Sequence, residues 1–163
     1  VAVSMFSIVI ASASGIFAAS LSTQGRSLQL KRVQEEGRFI SEFIQKEARQ
    51  AIRTFGGECT SIPDGDVFKL MSSSEVKFRN SRGECVGYRL QSGVLERSIT
   101  DGASWDNLSS PDVTITSARF LLLGNVSLTN PVLDYDLTIT SSPKGRVSGV
   151  SLNISSDVSP RAY

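Results

Sequence analysis

The sequence predicts an α+β fold in which one long N-terminal helix, about residues 1–55, packs by its C-terminal half on an antiparallel β-sheet. Three observations predict it. Positions 1–20 carry no charge, and no proline interrupts positions 21–55. Apolar residues then recur at helical spacing up to a glycine pair, Gly56-Gly57. Beyond that pair the spacing switches to short runs of period two.

The opening VAVSMFSIVIASASGIFAAS would span about 30 Å as a helix, the thickness of a bilayer's hydrocarbon core. Ser7, Ala11, Gly15 and Ala19 fall four apart, so one stripe of this segment is small and lets another helix approach closely in an apolar medium. Met5, Phe6, Ile8, Val9, Ile10, Ile16 and Phe17 occupy the other faces. Ser12, Ser14 and Gly15 mark a place where the helix could unwind. The chain starts at Val1 without a basic flank, and residues upstream are expected.

From Leu21 the helix continues with a different character. Val33, Gly37, Ile40, Ile44, Ala48, Ala51 and Phe55 recur at steps of three and four and form one apolar face, widened by Phe39 and Phe43. Arg38, Glu42, Gln45, Lys46, Arg49 and Arg53 lie opposite, toward water. Gly56-Gly57 supplies the stop. A globular domain needs only this second half to cover a sheet. The chain therefore divides into an uncharged segment, 1–20, that must be sheltered by lipid or other copies, and a folded domain, 21–163.

Strands are expected at 67–71, 75–79, 84–91, 94–99, 113–123, 133–141 and 147–155, several alternating as Val86/Tyr88/Leu90 or Leu133/Tyr135/Leu137/Ile139 do. Asn80-Ser81-Arg82-Gly83, Gln91-Ser92-Gly93 and Ser142-Pro143-Lys144-Gly145 are hairpin turns. Consecutive hairpins predict a meander with one face under the helix.

Composition narrows the chemistry. Seventeen basic and sixteen acidic residues leave a net charge of +1, too balanced to draw the whole molecule to nucleic acid or acidic lipid. There is no histidine, which removes the commonest general base and metal ligand. No catalytic, cofactor-binding or metal-binding set is expected. Asp64-Gly65-Asp66 has alternating carboxylates, but Pro-Asp-Gly reads as a turn. Asp134 and Asp136 read as a solvated strand face. Cys59 and Cys85 form either one disulfide, which suits an oxidising extracytoplasmic compartment, or two unpaired buried thiols.

Arg26, Lys31 and Arg32 follow the uncharged segment and could meet lipid headgroups, a neighbour's Glu35 and Glu36, or DNA. Their plain reading is a solvated face with Lys31–Glu35 and Arg32–Glu36 pairs. Trp105 sits in a loop that it either packs down or uses as an exposed contact. The Asn-x-Ser triplets at Asn107, Asn125 and Asn153 are expected by chance in so serine-rich a chain.

The opening VAVSMFSIVIASASGIF resembles the hydrophobic segment of prepilin-type proteins. Its continuation into GRSLQLKRVQEEGRFISEFIQKEARQAIR and then a sheet resembles type IV pilins and type II secretion pseudopilins. VKFRNSRGECVGYRLQSGVLERSI and the ending SLNISSDVSPRAY look most like minor pilins and J-type minor pseudopilins. The Phe-Thr-Leu-Ile-Glu-like start of the family is not in this chain, so neither the processing site nor the assembly glutamate is carried over to any residue. The resemblance implies a non-catalytic filament subunit. It waits in the cytoplasmic membrane through residues 1–20, then packs among other pilin subunits in an extracellular pilus or periplasmic pseudopilus, brought there by the assembly machinery. The alternative is a membrane-anchored or secreted extracytoplasmic binding domain that does not polymerise, with 1–20 as anchor or signal. Contact with DNA or another surface ligand is open but unsupported by any motif.

Overall fold

The computed structural model describes residues 2–125, 129–142 and 149–161. Helix α1 runs without a break from Ala2 to Ala48, 47 residues. The place at Ser12, Ser14 and Gly15 does not unwind, and Ser14 Oγ instead bonds back to the Ile10 carbonyl at 2.8 Å.

The helix ends seven residues earlier than expected. The last turn tightens as Gln50 N–H donates to the Glu47 carbonyl at 3.0 Å. The chain then becomes strand β1, Ala51–Ile52, paired with Asn80 and Arg79. Apolar spacing cannot separate these outcomes, because Ala51 is fully buried either way. For Phe55 the difference matters. Off the helix it loses its place in the 3.6-residue phase and stands 59% exposed, so it is not part of the helix–sheet core. Gly56 and Gly57, both at positive φ, turn the chain after β1 rather than capping the helix.

Two antiparallel sheets follow, where one meander was expected. The first holds β1 with β2 (Phe68–Ser72), β3 (Glu75–Asn80), β4 (Cys85–Gln91), β5 (Val94–Ser98) and β6 (Asp106–Asn107). The second holds β7 (Val113–Asn125), β8 (Thr129–Ser141) and β9 (Ser151–Val158). The β3–β4 turn is organised by Asn80, whose Oδ1 accepts the N–H groups of Arg82 and Glu84, each at 3.0 Å. Ser92 and Gly93 both take positive φ, the pair that a two-residue hairpin requires. β7 stitches the sheets together. Its Phe120 N–H donates to Ser73 in the β2–β3 turn (2.8 Å), and its Ile115 N–H to Gly93 in the β4–β5 turn (2.9 Å).

Val33, Ile40, Ile44 and Ala48 of α1 are fully buried. They share one core with Phe68, Phe78, Tyr88, Phe120, Tyr135, Leu137 and Ile139. Gly37 is where helix and sheet come closest, since a Cβ there would run into Ile154 Cδ1 and stand 3.2 Å from Ile139 Cδ1. Cys59 and Cys85 are joined by a disulfide, with Cα atoms 5.7 Å apart and a separation of 26 positions in sequence. The bridge fastens the loop after β1 to the start of β4.

Candidate assembly surface

The helix is held to both sheets, by different chemistry on each. Toward the first sheet, Glu47 is 6% exposed and pairs with Arg97 of β5, whose Nε lies 3.0 Å from Glu47 Oε2. The Tyr88 hydroxyl of β4 donates to the same carboxylate oxygen. Burial pushes the Tyr88 phenol well above its ordinary range, and the neighbouring Glu47 carboxylate adds to the rise. The hydrogen bond to Glu47 raises Arg97 further still, so the guanidinium stays charged.

Toward strands β8 and β9 of the second sheet the hydrogen bonds are neutral. Ser41 Oγ and the Tyr135 hydroxyl are 2.7 Å apart, and Gln45 Nε2 donates to Ser156 Oγ at 2.9 Å. Gln45, expected to face water, is turned inward by these strand partners. Glu36 accepts the backbone N–H of Ser110 at 2.7 Å. Arg32 consequently pairs not with Glu36 but with Asp112, at 3.8 Å. Lys31–Glu35, at 3.6 Å, forms as expected for an i, i+4 pair.

All of these anchor points lie at Gln29 or later. Gln29 itself is buried, its Oε1 accepting from Ser141 Oγ at 3.3 Å. Toward the N-terminus the helix projects away from the sheets. Ile10, Ile16 (72%) and Phe17 (65%) are exposed, as are Gly15 and Ala19 of the small-residue stripe. The side chains of Ser7 and Ala11, the other members of that stripe, lie outside the described residues. Among the described residues no helix is long and apolar enough to cross a membrane; the side chains of 2–9, 11, 12, 18, 21 and 22 are not among them. Leu28, Leu30 and Phe39 extend the exposed apolar surface toward the domain.

The remaining sequence candidates resolve locally. Trp105 packs its loop down. Its ring lies on Gly87, where a Cβ would stand 3.0 Å from it, and the Arg89 guanidinium sits 4.1 Å from its centroid. Beside it Lys77 Nζ is held by the Asp101 carbonyl (2.8 Å) and Ser61 Oγ (3.0 Å). Burial would raise the Asp101 carboxyl. Hydrogen bonds from Ser61 and Thr60, with the Lys77 charge, outweigh it and hold the group below its ordinary range. Sequence spacing gave no sign of this cluster, which joins two loops and one strand. Asp64 accepts from Gly57 N–H at 3.2 Å as part of a turn, and among the described residues no three acidic or cysteine side chains converge on a point.

The arrangement seats the helix on both sheets at one end and leaves Ile16 and Phe17 exposed at the other. No family model, no curated protein and no solved structure matches the chain.

Proposed function

We propose that the chain is a structural subunit of a filament of the type IV pilus or pseudopilus kind, held in a membrane before assembly and packed through its N-terminal helix afterwards. One observation carries the reading. A continuous helix of 47 residues is, among the described side chains, buried against its own sheets from Gln29 onward, while Ile16 and Phe17 stand in the open. Exposed apolar surface of this extent costs about 25 cal/mol per Å² in water and is relieved by an apolar neighbour. Lipid and the helices of other copies are both such neighbours. Transfer between them is therefore decided by packing contacts, which the stripe through Gly15 and Ala19 favours. The Glu47–Arg97 pair and the Ser41–Tyr135–Gln45 network would keep the domain at a fixed angle to the helix, which regular assembly needs.

Expression in a piliated host, followed by electron microscopy of sheared filaments with an antibody to the domain, tests the proposal. Wild-type chain is expected in filaments, and Ile16→Lys is expected to abolish incorporation while leaving the domain folded. A chain that stays dispersed, or filaments indifferent to Ile16→Lys, would overturn it and favour the lone binding domain.

A further inference from the structure

We infer that the face of α1 formed by Thr23, Arg26, Ser27 and Leu30, together with Val150 at the approach to β9, is a binding site for the phosphate of an anionic phospholipid headgroup. The inference rests on the membrane-held state proposed above. Thr23, Arg26, Ser27 and Leu30 are spaced i, i+3, i+4 and i+7, one helical face. With Val150 they line a groove of about 370 Å³, apolar at its upper end through Leu30 and Val150.

The charge pattern is one-sided. Positions 1–25 carry no charged side chain, and the first carboxylate after Arg26 is Glu35. Downstream, Lys31 is paired with Glu35 and Arg32 with Asp112, and Glu36 is taken by the Ser110 N–H. Among the described residues Arg26 enters no ion pair and Ser27 no side-chain hydrogen bond. Thr23 has committed its proton to the Ala19 carbonyl at 3.0 Å, so the donors left in the groove are the Arg26 guanidinium and the Ser27 hydroxyl. A phosphodiester, with charged acceptor oxygens and no donors, matches that set.

Position selects lipid over a protein carboxylate. If residues 1–20 occupy the hydrocarbon core, Arg26 lies about 9 Å beyond its edge by helical rise, at the level of the headgroups that its long side chain can reach. The groove opens along the same face that carries Ile16 and Ala19. A neighbouring copy's acids are less suitable, since Glu35 and Glu36 already have partners within their own chain.

Full-length chain is reconstituted into nanodiscs holding equal phosphatidylglycerol and phosphatidylcholine, and the lipids that stay bound are identified by native mass spectrometry. Phosphatidylglycerol is expected to be enriched roughly five-fold, the size of one basic side chain at an anionic surface. Arg26→Gln should abolish the enrichment, whereas Lys46→Gln on the far exposed part of the helix should not. Equal retention of both lipids, or equal loss in both variants, overturns the site while leaving the membrane-held reading intact. Enrichment removed by millimolar inorganic phosphate would assign the groove to free phosphate and overturn the lipid assignment. Arg26→Gln that alters no lipid retention but weakens association between copies assigns Arg26 to a protein partner instead. A chain that does not enter the bilayer overturns both readings.

Discussion

Glu47 on the last turn of α1 and Arg97 on β5 form an ion pair, buried on the carboxylate side, that also takes the hydroxyl of Tyr88, so one carboxylate ties the helix to two strands. Removing it would leave the half-buried Arg97 guanidinium without its counter-charge and the buried Tyr88 hydroxyl without its acceptor. Glu47→Ala is expected to cost about 2–3 kcal/mol in urea unfolding, below the range for a fully buried pair because water still reaches the Arg97 side. Arg38→Ala, which breaks the exposed Arg38–Glu42 pair, should leave the unfolding midpoint essentially unchanged.

The phenol of Tyr88 gives the same site an alkaline signature. Its pKa is raised in the folded chain by burial and by Glu47, so the folded state keeps the proton where the unfolded state releases it. This stabilisation is complete below the unfolded value of about 10 and is lost as pH rises from there toward the folded value. Wild-type stability should fall above about pH 10, and Tyr88→Phe should flatten that part of the curve, measured by chemical unfolding at stepped pH.

At the acid end the sign reverses. Asp101 is held below its ordinary range, so its contribution is present above the unfolded pKa of about 3.9 and disappears as pH falls through the folded value. Asp101→Asn should lower stability at neutral pH and weaken its dependence on pH below about 4. An unchanged acid limb would remove Asp101 from the account.

Gly37 predicts a test of close packing. Gly37→Ala places a methyl group against Ile154 Cδ1 and should cost about 1–3 kcal/mol as overpacking. Ile154→Val deletes that δ-carbon, so the double variant should recover part of the loss, a coupling visible in a double-mutant cycle.

The disulfide closes a loop of 26 positions, worth about 3.5 kcal/mol on the chain-entropy model. Cys59→Ser/Cys85→Ser should lower the unfolding free energy by about that amount, and reductant should do the same to the wild type but not to the variant.

Most of the fold was legible because burial has a period. Strands β2 to β5 begin and end within one or two residues of expectation, since alternation such as Val86/Tyr88 is what a strand with one face on a core must show. Val33, Ile40 and Ile44 were legible for the corresponding helical reason. The misses share another cause. β1 and β6 have two residues each, too short to show any period. The split into two sheets follows from how β7 meets the turns at Ser73 and Gly93, a long-range relation that alternation does not encode. Glu36 and Arg32 were assigned to each other because local spacing was the only guide, and Ser110 and Asp112 proved better placed. The groove at Arg26 was visible only as a basic cluster, because Val150 comes from far along the chain.

The two-sided seating of α1 determines how the molecule would answer a tug along the helix axis. Load entering at the projecting end would pass through Gln29, Glu36, Ser41 and Gln45 on one side and Glu47 on the other, along contacts spread over nearly twenty helical positions. No single strand would be peeled away first, and the domain would resist stretching as one block.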